Sequence, residues 1–192
     1  MEGIYTAIAT NILTGCSREI TTEVTASSPA VVNPIVTTEF FAEEAIIEVG
    51  VEGLGNYEYS MDNGPWQLDN IFIDVSAGFH EIRVRDLNGC GISSARVLVI
   101  DYPRFFTPNG DGYNDTWHVE GIETRPLATI YIFDRYGKLL KQLSPLGEGW
   151  DGTYNGELLP ATDYWFKITL DVIFGNDETN IKTYTGHFSL KR

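Results

Sequence analysis

Oxygen-bearing side chains are concentrated in a glycine-rich segment, residues 109–115, and residues of these types can hold a metal ion. The candidate ligands are Asn109, Asp111, Asn114 and Asp115. Calcium takes roughly six to eight oxygen ligands, and glycines let a backbone bend around such a cation. The spacing departs from the usual calcium loop because Tyr113 stands at the third ligand position and can offer only its carbonyl. The same residue types also form tight turns without a metal, so a calcium site and a metal-free turn both remain open.

Side chains suited to nucleophilic or acid–base catalysis are present but scattered. His80, His118 and His187 fall in strand-like segments without a clustered partner, and the chain has no G-x-S-x-G motif. Acidic residues are so numerous that paired carboxylates say little about glycoside hydrolysis. We therefore expect no enzyme.

The charge balance excludes several classes of partner. The chain has 27 acidic and 13 basic side chains, a formal net charge of −14, and such a surface repels nucleic acids and anionic membranes. No apolar run approaches the roughly 20 residues of a membrane-spanning helix, and residues 1–10 lack the features of a signal peptide. Cys16 and Cys90 show no C-x-x-C spacing, and their pairing stays open. We expect no nucleic-acid partner, no membrane span and a monomeric fragment.

The elements that must position these residues are strands and turns. The sequence predicts an all-β fold of tandem immunoglobulin-like β-sandwich modules. Residues 3–16 and 78–90 each contain a strand that ends in a glycine turn, and each is followed by another strand-like stretch. This repeat predicts the closing hairpins of two modules. Residues 1–36 are then the remnant closing hairpin of an upstream repeat plus a linker at Ser27–Ala30 and Asn33-Pro34, and we expect the following module to cover the hairpin's apolar face.

Residues 37–101 are predicted to form the middle module, an immunoglobulin-like repeat. Asn63-Gly64 marks a turn, since both residues tolerate positive φ. Alternating apolar and charged residues place Ile82 and Val84 in the core, and Trp66 is expected to pack there as well. The predicted strands are 45–51, 56–61, 78–86 and 94–100.

Residues 102–192 also have the pattern of strands and turns, without a helix. The first predicted hairpin turns at Gly137 in the left-handed conformation, and the second turns at a polar loop, 174–178. Apolar residues at period two give one strand a buried face, at Tyr164, Phe166, Ile168 and Leu170. The predicted strands are 129–133, 138–141, 164–170 and 181–190.

Five motifs follow one another in this last part. They are F-T-P-N-G-D-G-Y-N-D-T-W (106–117), I-F-D-R-Y-G (132–137), W-D-G-T (150–153), L-P-A-T-D-Y-W (159–165) and G-H-F-S-L-K-R (186–192). In this order they resemble the gliding motility-associated C-terminal domain, the type B sorting domain of type IX secretion in Bacteroidota. Thr162-Asp163 replaces the glycine usual in that family. The upstream modules resemble the SprB-like repeats of surface adhesins.

The resemblance implies an export address rather than an activity. Proteins of this family fold in the periplasm, pass through the outer-membrane type IX translocon and reach the cell surface. An SprF-like outer-membrane β-barrel protein is the implied partner. The chain would then be the C-terminal fragment of a gliding or adhesin-type surface protein, with residues 102–192 as the sorting domain that the machinery reads.

The closing motif is the candidate contact with this machinery. Its predicted partner-binding residues are Gly186, His187, Phe188, Leu190, Lys191 and Arg192. A strand end followed by basic residues can add to a partner's sheet and meet acidic groups. Alternatively, residues 181–190 complete the sandwich and the terminal charges are solvated. Both interpretations stay open.

A glycan-binding β-sandwich module is the alternative function, because four tryptophans could include a platform on which sugars stack. Trp117 and Trp150 belong to the recurring motifs and Trp165 lies next to a core strand, so core or turn packing is expected for these three. Two coplanar rings facing solvent would favour glycan binding, and buried rings would count against it.

Overall fold

The computed structural model describes residues 2–26, 28–89, 91–174 and 178–192. Strands account for 54% of the residues and helix for 2%, which confirms the predicted all-β class. Within those ranges the helical element is a single 3₁₀ turn, Ile122–Thr124. Ser27 of the predicted linker, Cys90 and the centre of the predicted loop 174–178 lie outside the described residues.

The chain divides into two compact units. The first is formed by Met1–Ile35, Ile47–Phe72 and His80–Val97, and the second by Val36–Ile46, Ile73–Phe79 and Leu98–Arg192. The strands, in chain order, are β1 Gly3–Thr10, β2 Ser17–Val24, β3 Val31–Val36, β4 Ala45–Glu52, β5 Tyr57–Met61, β6 Ile71–Val75, β7 Gly78–Asp86, β8 Ile92–Val99, β9 Phe105–Phe106, β10 Thr129–Phe133, β11 Leu139–Leu143, β12 Thr153–Tyr154, β13 Glu157–Leu158, β14 Asp163–Phe174 and β15 Glu178–Leu190.

The first hairpin matches its prediction in pairing but not in burial. β1 and β2 pair antiparallel over their whole length, and the side chain of Asn11 closes the turn by accepting the backbone N–H of Leu13 at 2.9 Å. Every residue of both strands is exposed, including Ile4 at 72% and Ile8 at 64%. The expectation that the following module covers this hairpin is therefore wrong. The two strands form a two-stranded sheet of their own.

The middle strands form two three-stranded sheets, in the orders β3-β4-β6 and β5-β7-β8. All four predicted strands of this part are present, and the neighbouring β7 and β8 confirm the second predicted hairpin. Ile82 and Val84 are 0% and 1% exposed, as the alternation in β7 predicts. The sequence patterns missed β3 and β6.

The predicted linker at Asn33-Pro34 is wrong, because both residues lie inside β3. Pro34 has no N–H to donate, but β3 is an edge strand of its sheet, where proline is tolerated. The chain just before this strand is also anchored. Ser28 donates its backbone N–H to the Leu54 carbonyl at 3.1 Å and accepts the Leu54 N–H on its hydroxyl at 3.3 Å.

Trp66 also departs from its prediction, since it packs under charged side chains rather than in the core. The ring is half-buried, and its centroid lies 4.3 Å from Cζ of Arg85 and 5.8 Å from Cζ of Arg83. A guanidinium over an indole face gains a cation–π attraction, which holds the ring at the surface.

The second unit contains a five-stranded sheet in the order β11-β10-β14-β15-β9. The hairpin of β14 and β15 pairs from Asp163 opposite Ser189 to Phe174 opposite Glu178. The predicted buried face of β14 is confirmed, since its four apolar residues are at most 2% exposed. The predicted turn between β10 and β11 is also confirmed, with Gly137 at φ 80°.

The core of the second unit is rich in aromatic rings. Its buried members are Ile100, Phe106, Trp117, Val119, Ile122, Ala128, Ile130, Ile132, Leu143, Trp150, Tyr164, Phe166, Ile168, Leu170, Phe188 and Leu190. Phe40 and Phe41, from the segment Val36–Ile46, pack against this core. The Phe41 ring centroid lies 5.2 Å from that of Tyr184, 5.7 Å from that of Tyr102 and 6.1 Å from that of Phe166.

Candidate functional site

Half of the predicted partner-binding residues face the core of the second unit. Phe188 is fully buried and stacks on Trp117, with ring centroids 4.0 Å apart and planes 13° from parallel. Leu190 is 2% exposed. Gly186 leaves room for an aromatic ring, because a Cβ at this position would lie 2.6 Å from Cε1 of Phe166. These three residues hold the fold together.

The outward face of the closing strand carries His187 beside Trp165. The two ring centroids are 6.4 Å apart, and Trp165 is 41% exposed. The predicted core or turn packing of Trp165 is therefore wrong. Successive side chains of a strand point to opposite faces, and Tyr164 and Phe166 take the buried face of β14.

The end of β15 is paired on both sides. β14 lies along one side, and on the other Ser189 and Leu190 pair in parallel with Phe105 and Phe106 of β9. The Lys191 N–H then donates to the Phe106 carbonyl at 3.0 Å. A partner strand could join β15 at this end only by displacing β9.

The two basic residues at positions 191 and 192 contact their own chain. Lys191 places Nζ 4.0 Å from the ring centroid of Phe105. Arg192 donates to the carbonyls of Leu159 and, at 3.5 Å, Gly152. Arg192 thus connects the W-D-G-T motif to the L-P-A-T-D-Y-W motif, and both basic side chains stay exposed.

Two motif tryptophans join distant parts of the second unit. Trp117 and Trp150 exchange backbone hydrogen bonds of 2.8 and 2.9 Å, and their side chains are 0% and 1% exposed. Their indole N–H groups donate to the carbonyls of Pro103 and Thr153, both at 2.9 Å. The expected core packing of these two rings is confirmed, and their burial counts against a sugar-stacking platform.

A groove that the sequence analysis missed lies between the second and fourth motifs. Its volume is about 430 Å³, and it is lined by Asp134, Arg135, Tyr136, Lys138, Leu140, Tyr154, Leu159, Pro160, Ala161, Thr162, Asp163 and Tyr164. The two motifs meet because β10 and β14 pair with Phe133 opposite Trp165. Both motifs were visible in the sequence, but their juxtaposition depends on this register.

The groove combines a tyrosine that is held by a hydrogen bond with cationic side chains, Arg135 and Lys138. The Tyr164 hydroxyl donates to the Pro160 carbonyl at 2.8 Å. Burial raises the pKa of Tyr164, while the positive charges of Arg192 and Arg135 act against that rise. Arg135 reaches across the groove and donates to the Thr162 hydroxyl.

The candidate calcium ligands come together, but their oxygens accept hydrogen bonds from the loop itself. Asp115 accepts the backbone N–H groups of Gly110 at 2.7 Å, Gly112 at 2.8 Å and Asn109 at 3.0 Å. These donors, Gly110 first, hold the pKa of the Asp115 carboxyl below its usual value. Asp111 likewise bonds to the side chain of Asn109 at 2.8 Å.

Asn114 contributes its backbone to the same loop, where it has a φ of 50°. Its carbonyl accepts the Thr107 N–H at 2.7 Å. Within the described part of the chain, no three His, Cys, Asp or Glu residues are grouped as a metal site would require. The calcium site stays a prediction.

Two histidines each pair with a single carboxylate, which the sequence analysis did not identify. His80 Nδ1 lies 2.6 Å from Asp62 Oδ2, and His118 Nε2 lies 2.9 Å from Glu120 Oε1. Burial raises the pKa of Asp62, but the His80 hydrogen bond, the Glu81 N–H and the His80 charge together lower it below its usual value. The first pair fixes the turn at Asp62, which has a φ of 50°, against β7.

Comparison with known proteins gives a family match that lies within the second unit. Residues 100–190 match the family model described as CHU_C Type IX secretion signal domain. No curated protein matches the chain. Among solved structures, a chain described as "Biofilm associated protein - BSP domain" aligns at 12% identity with a TM-score of 0.23, over 86% of this chain and 28% of that chain. None of the helices in the described residues is long and apolar enough to span a membrane.

Proposed function

We propose that this chain is carried to the cell surface by the type IX secretion machinery. The premise is that residues 100–190, which match the model of a type IX secretion signal domain, form such a domain. Such a domain implies export through the outer membrane to the surface or the extracellular space. The matched family is a family of secretion signals and not of catalytic domains. The observation that carries the proposal is the family match over the region in which the five motifs share one folded core.

The proposal treats the folded second unit as the element that the machinery recognises. Phe188 and Leu190 pack in its core, so deletion of residues 186–192 removes core packing together with any partner contact. Loss of export after that deletion would not distinguish unfolding from lost recognition. Substitutions on the surface are the sharper test.

The experiment fuses a fluorescent reporter with a periplasmic leader to the N-terminus of the whole chain. The fusion is expressed in a bacterium with type IX secretion and in the same strain without the translocon. We expect protease-accessible reporter on the surface of the first strain and periplasmic reporter in the second. Reporter that stays periplasmic in both strains would contradict the proposal.

The finer parts of the proposal are an SprF-like outer-membrane β-barrel partner and an adhesin-type cargo. The partner is tested by deleting the SprF-like protein from the exporting strain, which should retain the reporter in the periplasm. An adhesin-type role is supported by the two similar hairpins, β1–β2 and β7–β8. Cells that display the chain should attach to glass more strongly than cells that display the reporter on an unrelated exported carrier.

A further inference from the structure

We propose that the groove between the D-R-Y-G turn and residues 159–163 binds an extended, carboxylate-bearing peptide segment of the outer-membrane export partner. The inference rests on the proposed function and names the surface that the partner contacts. It moves the contact away from the end of β15, where Phe188 and Leu190 are buried and the backbone is paired on both sides.

The groove has the size and lining of a peptide site. Its volume of about 430 Å³ lies within the roughly 300–1,000 Å³ typical of ligand sites. Leu140 and Leu159 form apolar parts of the lining and also pack against the core of the second unit. A surface fixed in this way is preorganised, so a ligand need not order it on binding.

The rim of the groove offers hydrogen-bond donors for a carboxylate. Arg135 and Lys138 are exposed, and neither forms an ion pair with a carboxylate among the residues that the structure describes. Two carboxylates, Asp134 and Asp163, also line the groove, and they accept hydrogen bonds from neutral donors that leave their charge in place. Asp134 accepts two backbone N–H groups of its own turn, and Asp163 accepts the Ser189 hydroxyl at 2.6 Å.

These donors stand out against a chain with a net charge of −14. Arg192, which donates to the Leu159 carbonyl, adds a third cation beside the groove, so cations outnumber the two carboxylates there. An acidic ligand that most of the chain repels is therefore attracted to the groove. A peptide fits better than a glycan because the Tyr154 ring is covered by Lys138 Nζ, 4.3 Å from its centroid. Tyr136, at 87% exposure, projects beside the groove where it can contact an extended segment.

The first test reverses the charge of the rim in the full chain. We expect the double variant Arg135→Glu/Lys138→Glu to lower surface delivery of the reporter about tenfold, since two attractive contacts become repulsive. Lys167→Glu is the matched control, because Lys167 is exposed and does not line the groove. Arg135→Gln removes one charge but keeps a donor for Thr162, so it should lower delivery less than the double variant does.

The outcomes separate this inference from the proposed function. Thermal unfolding midpoints equal to that of the parent chain show that the variants are folded. Unchanged delivery of the double variant would overturn the groove as the contact, while delivery of the parent chain would keep the proposed function. Failure of the parent chain itself would instead count against the proposed function. A double variant that does not fold leaves the decision to Arg135→Gln and to the crosslinking experiment.

The second test identifies the occupant. p-Benzoylphenylalanine is placed at position 136 in exporting cells, with position 127 as control because Leu127 is 83% exposed and lies outside the groove. We expect a crosslink from position 136 to a peptide of an outer-membrane protein with Asp or Glu within a few residues, and its loss in the double variant. A glycolipid adduct, a crosslinked segment without acidic residues, or no adduct would overturn the inference.

Discussion

Replacing Phe41 with alanine should destabilise the second unit, although Phe41 lies far from the sorting motifs in sequence. Its ring is half-buried and makes edge-on contacts with Tyr102, Phe166 and Tyr184. Arg104 strengthens the same attachment by donating to the Ala42 carbonyl at 3.4 Å. The segment Val36–Ile46 should therefore unfold together with residues 98–192.

The expected loss follows from the contacts. Truncating a fully buried phenylalanine costs about 3–5 kcal/mol, and an aromatic pair adds about 0.5–1.5 kcal/mol beyond its buried area. Since Phe41 is only half-buried, we expect Phe41→Ala to lower the free energy of unfolding by about 2–3 kcal/mol. Phe41 has a φ of 66°, a region that glycine enters more easily than alanine. Phe41→Gly should consequently be no less stable than Phe41→Ala.

The assay is urea unfolding of the full chain, followed by tryptophan fluorescence. A Trp66→Phe background removes the tryptophan of the first unit, so the signal reports mainly on buried Trp117 and Trp150. Leu127→Ala is the control at an exposed site. A loss for Phe41→Ala of less than about 0.5 kcal/mol, the range of neutral surface changes, would refute the reasoning. That result would favour a sorting domain that begins at residue 102, a boundary that remains a prediction.

Three further perturbations test the packing and the loop. Gly186→Ala should lower the free energy of unfolding by roughly 1–3 kcal/mol, because the new Cβ would lie 2.6 Å from Phe166. In the same urea titration, Thr185→Ala on the exposed face should leave the free energy of unfolding near that of the parent chain. Asp115 has a lowered pKa in the folded state, so its stabilising contribution is present above its ordinary pKa and is lost as the pH falls through the folded value. When melting temperatures are measured from pH 5 to pH 2, the fall should therefore be smaller for Asp115→Asn than for the parent chain. Millimolar calcium added after chelation should leave the melting temperature unchanged, because both Asp115 oxygens already accept backbone N–H groups, and a rise would instead support the calcium site.

Local patterns predicted those parts of the fold that depend on neighbouring residues. Period-two alternation identified the buried face of β14 and the core positions of Ile82 and Val84. Glycine turns located both closing hairpins, and the ordered motifs indicated the packing of Trp117 and Trp150. In each case the information lies within one strand, one turn or one motif.

The features that sequence reasoning missed depend on distant partners. β3 was obscured by Pro34, whose place at a sheet edge is known only from the pairing. β9 has two residues, and it is a strand only because it pairs with the end of β15. The surface position of Trp66 was missed because the arginines that cover its ring lie on β7, which is distant in sequence. The groove likewise depends on the register of β10 against β14, which no local pattern reveals.

The parallel pairing of β9 with β15 joins the two borders of the sorting region. Arg192 also donates to the loops of two motifs, at Leu159 and Gly152. The surface of this region therefore forms only when its C-terminal end has folded against the rest. An export apparatus that binds such a surface would therefore select cargo in which this region has folded. A misfolded molecule would carry every sorting motif in its sequence and still lack the folded surface that the apparatus recognises.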